Sequence, residues 1–118
     1  MKTFLAVYTG SPNSAQRANW NKLDEATRNA RQAAGMKAWG DWMVKHKSSV
    51  VGQGGPLGKT KRVSPQGIAD VSNNLAGFVI VQAQSQDAAA RMFENHPHFT
   101  IFPGESAEIM EVMPIPGQ

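Results

Sequence analysis

The chain has 118 residues, 41% of them hydrophobic and 18% charged, with a formal net charge of +3 and no cysteine. That length fits one domain spanning residues 1–118, and such a domain buries roughly two-thirds of its unfolded surface, enough for a core without covalent staples. Disulfides and thiolate metal sites are excluded. No apolar run approaches the ~20 residues of a membrane span, and the stretch Phe4 to Tyr8 behind Lys2 is too short for a signal peptide's apolar region. A soluble, cytoplasmic protein with no membrane partner is expected.

In Lys2 to Tyr8, Phe4, Ala6 and Tyr8 alternate with Leu5 and Val7, so a strand here is apolar on both faces and needs cover on both. Ser11 to Ser14 reads as a turn, with Ser14 as N-cap of a helix. Trp20, Leu23, Ala26, Ala30 and Ala33 recur at helical spacing, and Gly35 marks an end or a kink. Met36, Trp39 and Met43 continue the spacing to about Lys47. Ser48 to Val51 favours extended structure, and the glycines and proline between Gly52 and Gly58 follow it. Gly58 to Val71, with Ser64-Pro65-Gln66-Gly67 inside, reads as a polar hairpin or loop. Gly77 to Ala83 is a second strand apolar on both faces. Ser85 then caps a helix with Asp87 in its first turn and the stripe Ala89, Met92, Phe93 and His96, stopped by Pro97. Ala107 to Met113 makes a last strand, ended by Pro114.

This order predicts an α+β fold, a ferredoxin-like βαββαβ sandwich. Its helices cover one sheet face only, so the two-faced strands predict a homodimer packed sheet against sheet.

Several stretches resemble a known family. Gly54-Gly55-Pro56-Leu57-Gly58-Lys59-Thr60-Lys61 is similar to the Asp-Gly-Pro-Phe segment that names the DGPF group of YCII-related proteins. Gly77 to Ser85 resembles that family's strand leading into an Ala-rich helix. Asn95-His96-Pro97-His98-Phe99 stands at its Pro-containing turn, and Glu111 to Pro114 at its closing strand. The resemblance implies a dimeric α+β barrel with a pocket in each subunit, in a superfamily that hosts isomerases, dehydrochlorinases, monooxygenases and non-enzymatic proteins. A His in the first helical region and an Asp after the second helix serve some small members. Here those positions fall near Ala38 or Trp39 and at His96, so that pair does not carry over.

Four local patterns bear on chemistry. His96 and His98 flank Pro97 and suit an acid/base role; His96 ends an inward stripe, where the helix dipole favours its charged form and burial opposes it. The structural alternative is a histidine capping helix carbonyls. His-x-His can also offer two metal ligands, but nothing in the spacing supplies a third, and neither metal nor cofactor is expected. Trp39, Trp42, Phe78 and Phe93 are candidates for a substrate pocket or for core, and Trp42 falls off the Met36, Trp39, Met43 stripe. Gly58-Lys59-Thr60 imitates the end of a phosphate loop, yet Gln53 stands where its first glycine belongs and no helix follows. The stretch Ala76 to Val81 lacks the leading basic residue and the later aromatic of an RNA-recognition motif, and a charge of +3 is modest, so no nucleic acid is expected. Two functions remain: a cofactor-independent enzyme for proton transfer, isomerisation or elimination on a small molecule, or a non-catalytic dimeric module binding a ligand or protein.

Overall fold

A computed structural model of the chain describes residues 1–117. In chain order the elements are β1 (Lys2–Thr9), α1 (Ala15–Asn21), α2 (Glu25–Lys45), β2 (Val50–Pro56), β3 (Thr60–Ser64), β4 (Gly67–Val71), β5 (Leu75–Ala83), α3 (Gln86–Arg91), α4 (Pro97–Thr100) and β6 (Ser106–Glu111). One antiparallel sheet has the order β2-β5-β1-β6, and β3 and β4 form a separate hairpin. This is the expected α+β architecture, with the strand order of a ferredoxin-like sandwich.

Strand alternation divides the sheet into two unlike faces. Phe4, Ala6 and Tyr8 of β1 are buried with Val79, Val81 and Ala83 of β5, and Trp42, Ala89 and Phe93 complete the core on that side. The pairs Phe4↔Val81 and Ala6↔Val79 set the register. The other face carries Leu5, Val7 and Ile80, all half-buried, and Met110, which is 41% exposed. Leu5 stands opposite both Ile80 and Met110 there.

The helical region breaks earlier than its glycine suggests. Ser14 caps α1 by accepting a hydrogen bond from the Arg17 N–H at 3.0 Å. Asp24 caps α2 in the same way with Thr27 at 2.8 Å, and this second cap divides the helices at residues 22–24. α2 then passes through Gly35 without interruption. A Cβ at Gly35 would lie 2.5 Å from the Phe102 ring and 3.1 Å from Ile101, so this glycine lets α2 approach the chain that follows α4. The Ala26, Ala30 and Ala33 stripe is exposed. Methyl groups bury too little area to hold a helix on a sheet, and α2 instead buries Gly35 and Trp42, with Trp39 and Met43 packed partly against the core.

Three further differences follow from local chemistry. α3 ends at Arg91, short of the expected stripe, and the chain turns through Asn95 at φ 58°. Pro97 opens α4, where the proline's missing N–H is no loss, and His96 is that helix's N-cap. β2 extends through the glycine-rich stretch to Pro56, with irregular pairing to β5. Gly54 has φ +62°, and a Cβ there would collide with the Phe78 carbonyl, so only glycine fits. β6 ends at Glu111 instead of Met113. The hairpin β3–β4 stands off the sheet, and the radius of gyration is 16.3 Å against roughly 13–14 Å for a compact chain of this length. Gly58-Lys59-Thr60 leads into β3, not into a helix, which removes the phosphate-loop likeness.

Candidate functional site

Between α2 and the sheet lies a cavity of about 980 Å³, within the size range of small-molecule sites. β1 brings Tyr8 to it, α2 brings Met36, Trp39 and Met43, and the segment after β5 and α3 brings His98 and Phe102. Arg17, Gln32 and Gln53 add polar groups to this mostly apolar wall. Trp39 stands over Tyr8, their ring centres 4.9 Å apart in an edge-to-face arrangement.

His98 is held from two sides. Its Nε2 lies 2.8 Å from the Thr9 carbonyl oxygen, which can only accept, so Nε2 carries the proton and donates it. The neutral ring therefore has its lone pair on Nδ1. Nδ1 has no hydrogen-bond partner among the described residues, and no buried side-chain nitrogen there lacks one, so Nδ1 has solvent access. Gly104 closes the other side. It donates its N–H to the His98 carbonyl at 2.9 Å, and a Cβ on Gly104 would land on the His98 imidazole. Burial lowers the pKa of His98, against the opposing effect of the Thr9 hydrogen bond. A neutral imidazole on a cavity wall, fixed through one nitrogen with the other unpartnered, is an arrangement that suits a general base.

His96 is placed differently. It is completely buried and does not line the cavity. Its Nδ1 accepts the backbone N–H of His98 at 3.0 Å, and its Nε2 lies 3.2 Å from the Tyr8 hydroxyl. Burial, followed by the charges of His98 and His46, lowers its pKa to about 4. Burial also raises the pKa of Tyr8, so near neutrality both imidazoles are uncharged and the phenol keeps its proton. Three of the four ring nitrogens of His96 and His98 are thus engaged within the fold. Among the described residues no group of three or more His, Asp or Glu is arranged to hold a metal.

Of the aromatic candidates, Trp39 and Phe78 border the cavity, while Trp42 and Phe93 lie in the core. Phe78 reaches the cavity at the β2 edge, although it pairs with Val7 on the open face of the sheet. Trp42 is 8% exposed and donates its indole N–H to the Met92 carbonyl at 2.8 Å. Its departure from the Met36, Trp39, Met43 stripe reflects a rotated core face: Met36, 68% exposed, stands at the cavity mouth instead. Thr9, Gly104 and the hydroxyl of Tyr8 are not among the site residues expected from the sequence. The Thr9 contribution is a backbone carbonyl, which carries no residue signal. Gly104 stands in a Pro-Gly pair that reads equally well as a turn.

No family model and no curated protein sequence matches the chain. Among solved structures, its fold is similar to the 5-chloro-2-hydroxyhydroquinone dehydrochlorinase of Burkholderia phenoliruptrix, in complex with 2,5-dihydroxybenzoquinone. The two are 18% identical over 92% of this chain and 90% of that one, with a TM-score of 0.50. No helix among the described residues is long and apolar enough to cross a membrane. What the likeness establishes is the architecture, an α+β fold of the kind that builds α+β barrels.

Proposed function

We propose that this protein is a YCII-related, cofactor-independent enzyme that moves a proton on a small organic molecule, with His98 as its base. The observation that carries the reading is the His98 ring, which lines the cavity and donates through Nε2 to the Thr9 carbonyl, leaving Nδ1 without a partner among the described residues. Nδ1 takes a proton from the substrate, the imidazolium is steadied by the Thr9 carbonyl, and the proton returns at another atom or a leaving group departs. Isomerisation and elimination both begin this way, and the fold neighbour is named for an elimination. Trp39 and Phe78 wall the substrate. His96 supports the site from behind, and Trp42 and Phe93 hold the core that positions it.

The working form is a homodimer joined sheet to sheet. Leu5, Val7, Ile80 and Met110 form an apolar strip that the described chain leaves incompletely covered, and a second copy of the same face is complementary to it. Analytical ultracentrifugation at micromolar concentration gives a dimer in this reading and a monomer against it.

The second reading, a non-catalytic binding module, draws on the structural duty of His96 as the N-cap of α4. NMR of the imidazoles, titrated with a panel of small aromatic and carboxylate ligands, separates the two. In the enzyme reading the His98 signals move with a ligand, and His98→Gln abolishes protein-catalysed exchange of deuterium into carbon acids of the panel. Exchange that is unchanged in His98→Gln, or a His98 signal indifferent to every ligand, refutes it.

A further inference from the structure

The hydrogen-bond pattern behind the cavity fixes more than the position of His98. The backbone N–H of His98 can only donate, so Nδ1 of His96 is an acceptor and holds no proton. A neutral His96 must then carry its proton on Nε2, which faces the Tyr8 hydroxyl oxygen at 3.2 Å. The imidazole therefore donates and the phenol oxygen accepts. That leaves the hydroxyl's own proton unused, since no other hydrogen bond from it is made among the described residues. Tyr8 lines the same cavity as His98, their rings 5.1 Å apart.

We infer that Tyr8 is a second catalytic residue, a hydrogen-bond donor whose proton is turned into the cavity by His96 and which, beside His98, recognises a carbonyl compound with an acidic C–H next to the carbonyl. The inference rests on the reading of His98 as base. In the step it describes, His98 Nδ1 takes the carbon-bound proton, the C–H electron pair forms the new C=C bond, and the carbonyl pair moves onto oxygen. Tyr8 meets that developing enolate with its O–H and keeps its proton throughout. The imidazolium later returns the proton to carbon, so nothing is oxidised or reduced. A fixed donor aimed at growing negative charge stabilises the transition state more than the ground state. Two backbone groups, the His98 N–H and the Thr9 carbonyl, thereby set both histidine tautomers and with them the direction of proton flow.

Tyr8 is the one tyrosine in the chain, so biosynthetic 3-fluorotyrosine places a single reporter beside this hydroxyl. The probes are 4-nitrophenol, whose oxygen can accept from Tyr8 while its proton is shared with His98, and 4-nitroanisole, its methyl ether. The expected result is a 19F signal that moves with nitrophenol much more than with nitroanisole, and a preference for the phenol that falls about tenfold in Tyr8→Phe, the size of one charge-assisted hydrogen bond. A preference unchanged in Tyr8→Phe, with a fluorine signal that ignores the bound phenol, overturns the role of Tyr8 and leaves the His98 base standing. If the wild-type protein binds neither probe, the cavity reading and this inference fall together. A 15N spectrum of the ligand-free protein showing His96 protonated on Nδ1 overturns the inference by itself.

Discussion

Gly104→Ala places a single methyl group where the His98 imidazole now lies. Gly104 does not have a positive φ, so backbone conformation is not the obstacle and the whole effect comes from contact. The ring must move, and the Nε2–H···O=C bond to Thr9, now 2.8 Å, must lengthen or break. Overpacking a tight site costs about 1–3 kcal/mol, and loss of a net hydrogen bond adds about 0.5–1.5 kcal/mol, giving a destabilisation of about 1.5–4.5 kcal/mol. For a domain of this size that lowers Tm by about 6–18 °C, at roughly 4 °C per kcal/mol. Thermal unfolding followed by far-ultraviolet circular dichroism measures it, and 15N spectra of the imidazoles report the His98 tautomer. A Tm within about 2 °C of wild type, together with an unchanged Nε2–H signal, refutes the claim that Gly104 and Thr9 jointly hold the base.

Gly40→Ala is the opposite case. Gly40 lies inside α2 with nothing within 4 Å of a built Cβ, so the substitution should stabilise by about 0.5–1 kcal/mol in urea unfolding; destabilisation would contradict the open geometry. Stability should also fall in acid because of His96, whose pKa drops from 6.5 to about 4 on folding. The unfolded state binds the extra proton between those values, so this contribution is complete above pH 6.5 and lost on descent towards pH 4, about 3 kcal/mol in all. His96→Asn keeps an N-capping oxygen and should flatten that part of the pH profile; an unaltered profile assigns the acid loss elsewhere. Trp42→Phe should cost about 1–3 kcal/mol by stranding the Met92 carbonyl while leaving nitrophenol affinity unchanged, whereas Trp39→Ala should weaken that affinity about tenfold. Equal effects of the two on binding would place Trp42 at the cavity after all. Asp70→Asn breaks the exposed pair with Lys61 and should change stability by less than about 0.5 kcal/mol in the same assay.

Sequence pattern alone carries the α+β class, the two-faced strands β1 and β5, the caps Ser14 and Ser85, and the polar hairpin. These follow from alternation, hydroxyl placement and turn residues, which act over a few positions and leave a local trace. It also brought attention to His96 and His98 without separating their roles, because two residues flanking one proline look alike until their neighbours are known. The separation is tertiary. His96 meets Tyr8 across 88 positions of sequence and His98 meets Thr9 across 89, contacts that exist only once β1 and the α4 segment lie side by side. The placement of Trp42 was likewise decided by the fold, since α2 rotates to bury Gly35 and Trp42 where a helical wheel centred on Met36 and Trp39 points elsewhere. A wheel records period, and the phase of that period is set by the partner surface. The break between α1 and α2 lay within reach of the sequence, in an Asp24 side chain able to take the Thr27 N–H, but the glycine farther on carried the more familiar signal. What made Gly35 and Gly104 necessary was the close approach of Phe102 and His98, and such approach is a property of packed space, which no residue announces on its own.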